Sequence, residues 1–181
     1  MSAPARIITN PVTGEALTWL VTGEQSGGRL AKAEIRVHGA GRGNRLPHAH
    51  PCAHERFTVV RGRMAIDCAG EVTVLHPGES LTVAPGVEHA WWNARAGELC
   101  VHVEISPPGR YEELTELGFR WAREGRIDEC GDPGLMLGAA LLAEFGDDIA
   151  YEVPPRWLQR LLVPPLARLG RRRHPDVAVA A

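Results

Sequence analysis

Three histidines and one glutamate carry the chemistry that this sequence is equipped to do. His48 and His50 stand two apart in a short run that reaches Glu55, and His89 follows in a stretch punctuated by glycine and proline. Three imidazoles with one carboxylate suit a single divalent transition metal, and mixed nitrogen and oxygen donors serve Fe, Mn, Ni, Co, Cu or Zn alike. On a strand, residues two apart point to one face, so His48 and His50 share a face. Glu55 lies at odd spacing from them and joins that face only if the chain bends, for which Pro51 offers a place. The set therefore demands a strand, a break and a second strand. His54 competes with Glu55, but an inward Glu55 sends His54 outward, to the surface or to a place behind the ligands. Cys52, in the same loop, reads as a small buried residue more than as a thiolate ligand.

The same residues fall into two sequence motifs of the cupin superfamily, which the chain resembles from about Leu30 to Ile105. The first motif is His-x-His, four residues, Glu, six residues, Gly, and it meets His48, His50, Glu55 and Gly62. The second is Gly, five residues, Pro-x-Gly, two residues, His, three residues, Asn, and it meets Gly78, Gly86, His89 and Asn93. Two positions depart from the pattern. Arg42 stands where the first motif opens on glycine, with Gly41 and Gly43 beside it, and the second motif's proline is displaced to Pro85, with Ala84 in its place. Neither is a ligand position, though both bear on turns. The resemblance implies a double-stranded β-helix with His48, His50, Glu55 and His89 holding a metal inside the barrel. It also implies, by similarity to quercetinase-like cupins, that Glu55 is both ligand and catalytic base.

The elements needed to position these residues are legible without the family. Ala33, Ile35 and Val37 alternate with Lys32, Glu34 and Arg36, which predicts a half-buried strand. Gly39, Gly41 and Gly43 have the spacing of a dinucleotide loop, but a proline and a strand follow instead of a helix, so that reading fails. Short strands are predicted over 56–60, 64–68, 72–75, 80–83, 89–93 and 99–105, divided by Gly- and Pro-containing turns. Such a mainly β pattern indicates a sandwich or jelly-roll barrel. After Ser106-Pro107-Pro108-Gly109 the period becomes helical. Tyr111, Leu114, Leu117 and Trp121 form one stripe, a second helix is predicted over 133–145, and a third runs through Trp157, Leu158, Leu161, Leu162, Leu166 and Leu169, with a kink expected at Pro164-Pro165. The organisation is then a lead-in over 1–29 with one strand near Leu17–Thr22, a barrel over 30–106 and an α-helical C-terminal extension over 107–181.

Parity nominates the cavity lining. Phe57 and Val59 share parity with Glu55, and Trp91 and Asn93 share parity with His89, so these four are candidate substrate-binding residues. Phe57 and Val59 read equally well as ordinary core, and Asn93 as a residue that ties down a turn. In 99–105 the apolar set Val101, Val103 and Ile105 is the natural inward face. The opposite register would bring His102 and Glu104 to the substrate as acid/base candidates.

Bulk properties narrow the function classes. The chain has 181 residues and a net charge of −2, which suits one domain with an extension and argues against a nucleic-acid partner. No helix-turn-helix is evident near the start, and Met1–Gly14 lacks a basic segment followed by an apolar run. The apolar stretch Leu135–Ala143 is too short to span a bilayer. Cys52, Cys68, Cys100 and Cys130 show no CxxC spacing, which fits free thiols in a reducing cytoplasm. Arg156, Arg160, Arg168 and Arg171-Arg172-Arg173 flank the last apolar stripe. A membrane-surface helix is disfavoured against a stripe packed on the barrel or across a homodimer, the oligomer expected because partners cover sheet edges. The leading functional expectation is a mononuclear metal-dependent dioxygenase acting on a small enolic, catecholic or diketone-like molecule. A non-oxidative metal-dependent isomerase, cyclase or lyase ranks second, and a non-catalytic small-molecule binder third.

Overall fold

The computed structural model describes residues 7–152, 154–173 and 177. Nine strands precede three helices: β1 (Ile7–Asn10), β2 (Glu15–Val21), β3 (Ala31–His38), β4 (His54–Arg61), β5 (Met64–Cys68), β6 (Glu71–Leu75), β7 (Ser80–Val83), β8 (His89–Asn93), β9 (Glu98–Ser106), α1 (Tyr111–Arg123), α2 (Gly134–Phe145) and α3 (Arg156–Arg173). The strands form a six-stranded sheet in the order β1-β2-β3-β9-β4-β7 and a three-stranded sheet in the order β6-β5-β8. Neighbouring strands run antiparallel, as the turn-rich sequence requires.

Period-two alternation builds the space between the sheets. On β3, Ala31, Ala33, Ile35 and Val37 are buried while Lys32, Glu34, Arg36 and His38 face out. On β9, Leu99, Val101, Val103 and Ile105 are buried against them. Phe57, Val59, Met64, Ile66 and Trp91 complete this core from the other strands. The outward residues pair across the strands: Lys32 meets Glu104 at 2.9 Å and Glu34 meets His102 at 3.5 Å.

Two glycines permit close crossings that a side chain would block. Gly62 has φ 86°, and a Cβ there would lie 2.9 Å from Leu99 Cα. Gly43 has φ 136°, and its Cβ would lie 2.9 Å from both Trp91 O and Trp92 Cα. Gly43, one place from the motif position that Arg42 fills, therefore lets the loop after β3 lie directly on β8.

Residues 7–21 differ from the expected lead-in with one strand. β1 and β2 are both strands of the large sheet, and Leu17 is fully buried in its core. The alternation there is short and interrupted by the turn at Pro11–Gly14, which hides it from a pattern search. The helices form a second core of Leu114, Leu117, Trp121, Leu137, Ala140, Leu141, Phe145, Ile149 and Val177. Helix α1 straddles the two cores, because Phe119 packs into the barrel instead. Three polar contacts seat α1 on the first strands and the loop after them: Trp19 Nε1 donates to Glu116 at 3.3 Å, Gly23 N to Glu112 at 2.7 Å, and Arg123 to Thr9 O at 2.9 Å.

Helix α3 spans Arg156–Arg173 with Pro164 and Pro165 inside it. Its packed side carries the small residues Ala167 and Gly170, which allow close approach to α2, while Trp157 and Leu161 are each 66% exposed and Leu162 and Leu169 are exposed as well. The predicted apolar stripe is thus turned largely outward. Among the described residues, no helix is long and apolar enough to cross a membrane.

Candidate metal centre

Local structure brings the four ligand candidates together. The segment between β3 and β4 passes alongside β8, where His48 and His89 bond backbone to backbone in both directions, His48 N to His89 O at 3.1 Å and His89 N to His48 O at 2.8 Å. His50 follows at the same parity, and the chain turns at Pro51 before β4. On β4 the alternation buries Glu55, Phe57 and Val59 and exposes His54. Each of His48, His50, Glu55 and His89 is buried, and one donor atom from each lies within 4.8 Å of all the others.

The imidazoles are oriented from behind. His48 Nδ1 lies 2.9 Å from Leu46 O, His50 Nδ1 2.7 Å from Asp148 O, and His89 Nδ1 3.1 Å from Val87 O. A carbonyl only accepts, so each Nδ1 carries the proton and each Nε2 is aimed at the shared point. Glu55 Oε2 sits 2.6 Å from His89 Nε2 and 3.5 Å from His50 Nε2. His50 Nε2 is buried with no hydrogen-bond partner among the described residues. A buried lone pair left unsatisfied costs free energy, and a cation at the convergence point would satisfy it. Three Nε2 donors and a carboxylate fit a divalent transition metal.

Electrostatics agree with that fit. Burial lowers the pKa of His48 to about 3, with His89 and His50 adding to the effect, so its ring is neutral, the form that ligates. Burial also acts to lower His50, but the Glu55 carboxylate outweighs it and the net shift is upward. Burial alone would raise Glu55. The His50 ring beside it, and then that of His89, outweigh burial and hold the carboxyl well below the usual carboxylate range. Glu55 is therefore an anion that calls for a cation beside it.

A family model for the cupin domain matches residues 35–105. That stretch of the barrel is a cupin domain. Among solved structures, an RmlC-like cupin from Shewanella frigidimarina NCIMB 400 is 20% identical with a TM-score of 0.51, the match covering 62% of this chain and 92% of that one. KdgF from Halomonas sp. is 21% identical with a TM-score of 0.45, covering 52% and 81%. A sugar phosphate isomerase of the cupin superfamily from Silicibacter pomeroyi is 19% identical with a TM-score of 0.47, covering 59% and 67%. No match is found among curated proteins. At these identities the likeness concerns the fold.

A cavity of about 150 Å³ opens on the ligand candidates, between the barrel and α1. His48, His50, Glu55 and Trp91 line it, together with Leu17, Ile35, Val103 and Phe119. The other sequence candidates lie elsewhere. Phe57 and Val59 are fully buried core, Phe57 stacked edge-on at 6.1 Å from the His89 ring, and neither lines the cavity. Asn93 ties down the turn after β8: its Nδ2 donates to Gly97 O at 2.9 Å and its Oδ1 accepts from Arg95 N at 3.1 Å. His102 and Glu104 point out of the barrel to Glu34 and Lys32, because Val101, Val103 and Ile105 take the inward face, so neither reaches the cavity. Cys52 is exposed, not buried, since the turn after Pro51 carries it outward.

Two cavity residues escape sequence reasoning. Tyr111, read as one member of a helical stripe, stands at the start of α1 with its hydroxyl 3.5 Å from Glu55 Oε1 and its ring 5.5 Å from that of His50. Burial, and then the Glu55 charge, raise its pKa well above the phenol value, so it is a proton donor. Glu15, placed in the lead-in, lines the same cavity and is buried. Its one visible signal is that it shares parity with Leu17, and that helps only when β2 is known to begin at Glu15.

Proposed function

We propose that this cupin is a mononuclear metal-dependent enzyme acting on a small, largely apolar organic molecule, with oxidative cleavage of an enolic, catecholic or diketone-like substrate as the leading reaction. The supporting observation is the convergence of three Nε2 atoms, each fixed by an Nδ1–H to carbonyl bond, on the anionic Glu55. The metal, when bound, supplies Lewis acidity and a meeting point for substrate and dioxygen.

The chain's own residues do the rest. Leu17, Ile35, Trp91, Val103 and Phe119 exclude water and favour a planar or aliphatic body. Among the described residues no lysine or arginine lines the cavity, so a phosphorylated or multiply charged substrate would meet no lysine or arginine counter-charge from them. Glu55 Oε1, turned towards Tyr111, is the base for an acidic substrate proton, and the Tyr111 hydroxyl is a donor to a substrate oxygen.

The non-oxidative reading also has an observation in its favour. Glu55, Tyr111 and Glu15 place three groups able to accept or donate a proton around one small cavity, which suits isomerase, cyclase or lyase chemistry. Dioxygen uptake by metal-loaded protein, screened against enolisable and catecholic compounds, separates the readings. Uptake coupled to substrate loss supports the oxygenase. Turnover that continues without dioxygen supports the second reading. Metal and ligand binding with no turnover of any kind would sink both and leave the binder.

A further inference from the structure

We propose that Glu15 is a second functional carboxyl of this cavity, the group that exchanges a proton with the part of a metal-bound substrate that Glu55 does not reach. The inference rests on the metal-enzyme reading and adds a residue to it.

Glu15 opens β2, held in register between Asn10 of β1 and Val37 of β3, and it faces inward with Leu17. It lines the cavity that His48, His50, Glu55 and Tyr111 also line. The remaining polar lining near it is uncharged: Asn10, Thr13 and Asn44. The Thr13 hydroxyl donates to Glu15 Oε2.

A structural carboxyl that is buried this deeply is ordinarily met by a cation or by several donors. Among the described residues, Glu15 has one hydroxyl and a cavity lining without lysine or arginine. An apolar side chain there would be the more stable choice, so the carboxyl weakens the fold in order to present an oxygen to the cavity. Burial raises its pKa to about 7, opposed by the Thr13 hydrogen bond and assisted by the Glu55 charge. Both protonation states are then populated near neutrality, which is what a residue that takes and returns a proton requires. In the step, the substrate O–H or C–H bond breaks, its proton passes to Glu15 Oε1, and the electron pair stays on the substrate as an anion. Return of the same proton to product or solvent restores the carboxylate.

The test uses cobalt-loaded protein and nitrocatechol, whose absorption reports its own ionisation. Wild type should bind it in ionised form at neutral pH. Glu15→Gln should keep the same cobalt content, bind roughly tenfold more weakly, and show the ionised spectrum only at higher pH. Glu15→Asp should recover part of both effects. A purely structural role would change metal content or Tm and leave the pH of ionisation unmoved. Glu15→Gln matching wild type in affinity and in pH profile would overturn the proposal. A wild type that takes up no cobalt would defeat the metal reading instead. In that case the carboxyl 13C resonance of Glu15 in metal-free protein decides: movement on adding nitrocatechol supports the role at the cavity, and no movement overturns it.

Discussion

Two buried glutamates face one cavity and are pushed in opposite directions. Glu55 sits among three histidines, and the rings of His50 and His89 outweigh burial and hold it anionic. Glu15 sits among a threonine hydroxyl, asparagine amides and apolar walls, and burial holds its pKa up to about 7. The residue type is the same, and the shared cavity removes most water from both. What differs is whether a positive charge stands within reach. On the proposed reading, a pair of like groups driven apart in this way divides the labour: Glu55 stays charged beside the metal, and Glu15 gains and loses a proton near neutrality.

The largest expected effect breaks that comparison at the metal end. Glu55→Gln should weaken metal binding well beyond the ~100-fold typical of losing an outer hydrogen-bond partner, measured by competition with a chelator, whereas Glu15→Gln should change it by no more than about threefold. Equal losses in the two variants would show that both carboxyls serve the metal.

The next effect sharpens the other end. Glu15 has its folded pKa raised from 4.5 to about 7, so the folded protein binds more protons than the unfolded chain between those values. The associated stability is fully present below pH 4.5 and is lost as pH rises through about 7. In metal-free protein, wild type should therefore lose on the order of 3 kcal/mol relative to Glu15→Gln across that window. Chemical denaturation of both proteins at several pH values reads the difference directly, and parallel profiles would refute the burial argument.

The smallest effect concerns the bridge between the two ends. Tyr111→Phe removes one long hydrogen bond to Glu55 and should cost about 1 kcal/mol or less in thermal unfolding, with metal content unchanged. Loss of metal in that variant would make Tyr111 part of the metal's own environment.

The comparison also explains what could be read from the sequence. His48, His50, Glu55 and His89 were legible because motif spacing and strand parity are local properties. The alternation in β3 and β9 was legible for the same reason, and it settles the outward placing of His102 and Glu104. Glu15 and Tyr111 were not. Their positions depend on β2 joining β3 and on α1 folding back over the barrel, which are long-range events. The acceptors that fix the histidines are backbone carbonyls of Leu46, Val87 and Asp148, and no side-chain pattern announces a carbonyl. The outward turn of Trp157 and Leu161 was hidden too, because α3 packs on α2 through the small residues Ala167 and Gly170, which an apolar-stripe pattern does not single out.

The most direct measurement is the metal content of wild type, His50→Ala and His89→Ala, each purified without a metal-binding tag and analysed after reconstitution. The geometry predicts close to one equivalent of a divalent transition metal per wild-type chain, and a steep loss in both variants with the fold retained. Equal metal in all three proteins, or none in wild type, would contradict the metal centre on which the rest depends.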